Sequence, residues 1–115
     1  MRYLLLICGD ETTTEAQSPA EAEASMAEYA AWMGEVSARG LLQGGERLRP
    51  STNATTVRVR ESEVLTTDGP FAETKEQIGG YFVVECDDLD TAIELAAKIP
   101  GARSGSIEVR PIWEM

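Results

Sequence analysis

The sequence predicts an α+β sandwich, an antiparallel sheet with helices on one face, and three observations carry that expectation. Several short runs, among them Arg2 to Cys8, Thr55 to Arg60, Tyr81 to Cys86 and Ser106 to Pro111, are apolar or alternate with period two, as strands do. Two other stretches open with helix-capping chemistry and repeat apolar residues at helical spacing. The order in which these elements follow one another is β-α-β-β-(short β)-β-α-β, two βαβ halves around a hairpin.

Each element has a local cause. Arg2 to Cys8 is short, apolar and stopped by Gly9, the pattern of a strand buried on both faces. Asp10 to Gln17 is polar and rich in Thr and Glu and reads as a loop. At Ser18-Pro19-Ala20-Glu21 a helix begins: Ser18 caps, Pro19 sits where its missing N–H is harmless, and Glu21 reaches back to the cap. Ala22, Met26, Tyr29, Met33 and Val36 then form one apolar face, and Gly40 ends the helix. Leu41 to Leu48 reads as an irregular strand around Gly44-Gly45, and Arg49 to Asn53 as a connection.

Thr55 to Arg60 alternates cleanly, with Val57 and Val59 on one face and Arg58 and Arg60 on the other. Glu61-Ser62-Glu63 turns the chain into the short strand Val64 to Thr67, and Tyr81 to Cys86 forms the next strand. Asp87-Asp88-Leu89-Asp90 caps a second helix with apolar residues Leu89, Ala92, Ile93, Ala96 and Ile99, stopped by Pro100-Gly101. Ser106 to Pro111 closes a ferredoxin-like sandwich spanning residues 1–115 as one domain. If the helices cover Val57, Val59, Phe82, Val84, Ile107 and Val109, the opposite face carries Arg58, Arg60, Tyr81, Val83, Glu85, Glu108 and Arg110. Tyr81 and Val83 on that face, with Trp113 nearby, are more apolar than water requires, so a second copy related by a two-fold axis is expected to cover it.

Composition narrows the function. The chain has 115 residues, enough for one core without disulfides or metal, and a net charge of −10, which disfavours nucleic acid and anionic membranes as partners. Cys8 and Cys86 read as small buried hydrophobes in a reducing compartment, with a disulfide between neighbouring strands as the alternative. The apolar run after Arg2 is too short for a secretory signal and no run is long enough to span a bilayer, so a cytoplasmic location is expected. The sequence contains no histidine, which removes the commonest general base, the commonest metal ligand and every Ser-His or Cys-His nucleophile. No cofactor motif is present: Gly44-Gly45 and Gly79-Gly80 lack phosphate-loop spacing.

The candidate site is Asp68-Gly69-Pro70-Phe71 and the residues after it. Asp-Gly-Pro is turn chemistry, and Asp68 has two readings: a turn former bonding its own backbone, or a carboxylate acting as base or acceptor beside Phe71. Glu73 and Lys75 share a face on extended chain and read either as a solvated pair or as part of a pocket. Arg58 and Arg110 are candidates for anion binding, the alternative being cross-strand pairing with Glu85 and Glu108. Asp87, Asp88 and Asp90 resemble a metal-ligating cluster in composition, but a helix cap with its dipole complement explains them. Trp32 is assigned to the core or an interface, and in the binding reading serves with Phe71 as an apolar wall.

The run Asp68-Gly69-Pro70-Phe71-Ala72-Glu73-Thr74-Lys75-Glu76-Gln77, with Gly79-Gly80-Tyr81, resembles the signature of the DGPF branch of the YCII-related proteins. Leu5-Leu6-Ile7 followed by Gly9-Asp10-Glu11, the Gly44-Gly45-Glu46 turn and the segment from Glu108 to Met115 fit the same pattern. The resemblance implies a dimeric α+β barrel, two ferredoxin-like sheets packed face to face, and an activity that is not established for the family. It also implies a neighbourhood of sigma factors for some members. The broader family's His-Asp pair has no histidine to carry it in this chain; Asp68 is the acidic position that transfers. Two functions follow as expectations. One is a homodimeric module binding a small anionic or carbonyl ligand, or a cofactor-free enzyme, with its cleft near the Asp-Gly-Pro-Phe loop. The other is a protein–protein module tied to sigma-factor-linked transcription.

Overall fold

A computed structural model describes residues 1–115. Its strands and helices are β1 (Arg2–Gly9), α1 (Glu11–Glu15), α2 (Pro19–Ala38), β2 (Leu42–Arg47), β3 (Thr55–Arg60), β4 (Glu63–Asp68), β5 (Gln77–Glu85), α3 (Leu89–Ala97) and β6 (Ser106–Pro111). Four strands form the main sheet in the order β2-β5-β1-β6, and every neighbouring pair is antiparallel. That is the ferredoxin-like α+β fold, with β3 and β4 inserted between its second and third strands.

The helix starts follow from their caps. Ser18 accepts from the Glu21 N–H while the Glu21 carboxylate accepts from the Ser18 N–H, a complete capping box with Pro19 in the first turn. Asp88 caps α3 by accepting from the Thr91 N–H and hydroxyl. The segment read as a loop before α2 contains instead the short helix α1, in which the Asp10 carboxylate caps the Thr12 N–H. A five-residue helix held by side-chain hydrogen bonds is too short for periodicity to reveal.

The core lies between the sheet and the two long helices. Tyr3, Leu5, Phe82 and Val84 supply the sheet side; Trp32, Val36, Leu95 and Ile99 are among those that close it from above. Trp32 packs on Phe82 with ring centroids 4.5 Å apart, and its indole N–H donates to the Leu95 carbonyl at 3.0 Å. The buried face of α2 is thus rotated from the expected one: Trp32 is inside, while Met26 and Met33 are exposed. In α3 the same happens, with Leu95 buried and Leu89 and Ile93 exposed.

The largest departure concerns β3. Rather than joining the main sheet, it pairs only with β4 in a separate two-stranded hairpin. The two-residue loop Glu61-Ser62 has φ of 52° and 65°, the backbone hand that matches hairpin twist. Val57 and Val59, expected under the helices, are exposed together with Val64. Arg58 and Arg60 consequently do not lie on the open face of the main sheet. That face is built from Leu4, Leu6, Tyr81, Val83, Glu108 and Arg110, with the four apolar and aromatic residues half-buried at its centre. No helix is long and apolar enough to cross a membrane.

Candidate functional site

The Asp-Gly-Pro-Phe loop leaves the end of β4 and runs to the start of β5. Gly69 takes a positive φ of 97°, which is why glycine stands there, and its N–H donates to the Ala54 carbonyl at 2.7 Å. The Gly69 carbonyl in turn accepts from the Thr56 hydroxyl. These two bonds shape the turn without Asp68, whose carboxylate has no hydrogen bond or ion pair within the chain. Phe71 stands 81% exposed, and Glu73 and Lys75 are exposed and unpaired.

The far end of the loop is anchored by side-chain bonds among Glu11, Ser51, Gln77, Glu76 and Ser106. The Glu11 carboxylate accepts from both the backbone N–H and the hydroxyl of Ser51. Glu11 also donates its own N–H to the Gln77 side-chain carbonyl at 3.0 Å, and the Gln77 amide donates to the Thr74 carbonyl. One step along, the Glu76 carboxylate accepts from the Ser106 hydroxyl at 2.8 Å. Three segments distant in sequence are therefore clasped at one point, and only long-range pairing, invisible to local pattern, could have shown it.

The expected site residues separate into groups. Asp68, Phe71, Glu73 and Lys75 share the loop. Tyr81 and Arg110 share the open sheet face, in adjacent rows across β1: Tyr81 lies opposite Leu6, and Arg110 opposite Leu4. Arg110 is paired with Glu108 of its own strand at 2.6 Å, so the pairing runs along β6 rather than across strands. Arg58 stays on the hairpin. Asp68 is opposite Thr55 and Arg58 is opposite Leu65, so the two side chains project from opposite hairpin faces. Trp32 lies on the far side of the sheet from Tyr81, buried against Phe82. A single chain does not bring Trp32 or Arg58 to Asp68.

Electrostatics near the loop are mild. Burial, followed by Glu108 and Glu76, pushes the Cys8 thiol up, so it is protonated at neutral pH and a poor nucleophile. Both cysteines are free. Two hollows lie elsewhere: one of about 380 Å³ lined by Met1, Arg39, Leu41, Glu85, Cys86, Asp87 and Thr91, and one of about 270 Å³ beside Trp32 and Lys98. Neither contains a residue of the loop, which is open to solvent.

A family model for the YCII-related domain matches residues 1–115. An uncharacterized protein of Rhizobium meliloti (strain 1021) is 40% identical over 114 residues, which span 97% of this chain and 92% of that protein. With the antiparallel sheet order and the whole-length match in agreement, the chain belongs to the YCII-related family.

Proposed function

We propose that this protein is a homodimeric binding module, acting in the cytoplasm, for a small anionic or carbonyl ligand held beside the Asp-Gly-Pro-Phe loop. The observation that carries the reading is the set of charged groups left unsatisfied there: Asp68, Glu73 and Lys75 have no partner within the chain, and the apolar Phe71 stands exposed among them. Unpaired charges around an aromatic ring are what a polar ligand uses, the ring as wall and the charges for orientation. Asp68 serves as acceptor, or as base if a reaction follows; Lys75 and the arginines offer charge to an anion. A second copy supplies the enclosure that one chain lacks, resting on the apolar centre of the open sheet face at Leu4, Leu6, Tyr81 and Val83. Cofactor-free chemistry is the only enzymatic route this reading contains.

A ligand screen by thermal shift, using small carboxylates, phosphate and keto acids, tests it. A shift in the native protein that Asp68→Asn abolishes supports the reading; no shift with any class, or one that Asp68→Asn leaves intact, overturns it. The exposure of Phe71 and of Trp113, 88% accessible, favours a second reading, an interaction surface for another protein linked to sigma-factor regulation. In that case Phe71→Ala removes partner capture while small ligands have no effect.

A further inference from the structure

The chain is too open for its size. It exposes 8126 Å², whereas a folded monomer of 12.5 kDa is expected to expose about 6,200 Å². The radius of gyration is 16.0 Å, against about 13 Å for a compact domain of this length. The β3–β4 hairpin stands out in this open chain: it packs on itself and contributes no residue to the core. An isolated two-stranded hairpin is at best marginally stable in water, so this one is expected to have a platform.

Its two faces differ. Val57, Val59 and Val64 form an apolar stripe, with Val59 and Val64 directly paired across the strands, and all three are more than half exposed. Charge adds a second, independent sign. Arg2, Arg39, Lys98, Arg103 and Arg110 are ion-paired. The other five cations, Arg47, Arg49, Arg58, Arg60 and Lys75, have no ion pair and fall together in residues 47–75, the hairpin with its two flanks. That segment holds four carboxylates (Glu61, Glu63, Asp68 and Glu73), leaving sixteen carboxylates and five cations to the rest of the chain. Two such acidic bodies repel, whereas the hairpin with its basic flanks, residues 47–75, is attracted to the body of the other copy.

We infer that the β3–β4 hairpin is an exchange arm: it lays its Val57–Val59–Val64 face on the open sheet face of a second copy, around Leu4, Leu6, Tyr81 and Val83, while that copy's arm does the same in return. This rests on the homodimer proposed above and adds which element makes it. The excess area of about 2,000 Å² per chain is of the size that stable dimers bury. The exchange also brings the arm's base, with Asp68 and the loop after it, to the partner's sheet, so the ligand cleft is assembled from both copies.

Hydrogen exchange of the native protein, measured over a dilution series alongside its sedimentation, tests the arm. Expected is a dimer in which amides of residues 55–68 and of the main-sheet strands lose protection together on dilution. The exposed-site variant Val57→Asp/Val64→Asp is expected to weaken dimerisation at least tenfold with unchanged circular dichroism, and Arg58→Glu/Arg60→Glu to weaken it and flatten its salt dependence. A dimer whose sheet responds to dilution while the arm does not, with both variants assembling like wild type, overturns the arm and leaves the dimer standing. An arm that responds alone overturns its placement on the sheet. A monomer at every concentration removes the dimer and the arm with it.

Discussion

The N–H of Gly69 donates to the carbonyl of Ala54 over 2.7 Å, closing the neck of the hairpin, so that Asp68 stands just inside a turn held entirely by other groups. The positive φ of Gly69 and the Thr56 hydroxyl on its carbonyl complete that turn. A residue that supports its own fold so little, in a loop of unpaired charges, is free to serve a ligand.

Asp68→Asn is therefore expected to change unfolding free energy by less than about 0.5 kcal/mol, the range of a surface substitution without a structural partner. Chemical denaturation measures it. A loss nearer 1 kcal/mol assigns Asp68 to the turn instead.

Gly45 and Gly44 are expected to differ sharply. A Cβ on Gly45 meets the Phe82 ring and the Tyr81 carbonyl oxygen, each at 2.5 Å, whereas one on Gly44 meets nothing within 4 Å. Gly45→Ala should cost about 1–3 kcal/mol through overpacking against the Trp32–Phe82 pair, and Gly44→Ala little. Equal thermal stability of the two variants contradicts the close approach of β2 to Phe82.

The Glu11 clasp makes a third expectation. Removing a carboxylate that accepts two hydrogen bonds from Ser51 should cost about 1–2 kcal/mol, and exchange at the Ser51 amide should accelerate. Glu11→Gln, which keeps one acceptor, should fall between Glu11→Ala and wild type.

Acid sensitivity has a definite sign. The Thr12 hydroxyl and N–H hold Asp10 below its usual range, the Thr91 N–H and hydroxyl do so for Asp88, and a hydrogen bond from Arg2 does so for Glu114. Carboxylates depressed in the folded state contribute stability that is complete above their unfolded values and lost as pH falls through the folded ones. Stability should decline below about pH 4, and Asp88→Asn, which still caps α3, should flatten part of that decline. All three groups are exposed, so added salt should shrink the Arg2–Glu114 share.

Much of the fold was legible because its causes are local. The Ser18–Glu21 box and the Asp88 cap are written in three or four adjacent residues, and strand alternation marks Phe82, Val84, Ile107 and Val109 as one face. In α2 the ladder through Met26 and Met33 and the ladder through Ser25 and Trp32 share Ala22, Tyr29 and Val36, so spacing alone fits both. The bulk of Trp32 and the partner its N–H finds at Leu95 decide for the second. For β3, alternation revealed an apolar face but not what covers it, because pairing partners are set by the whole chain. The same blindness hid the opposite parity of Arg58 and Asp68 and the meeting of Glu11, Ser51 and Gln77.

Whether the proposed site is shared by two chains is decided by sedimentation equilibrium of the native protein at micromolar concentration and physiological salt. A mass twice the 12.5 kDa of the chain is the expected result. A mass of 12.5 kDa at every concentration, with the hairpin and the open sheet face both left to water, contradicts it.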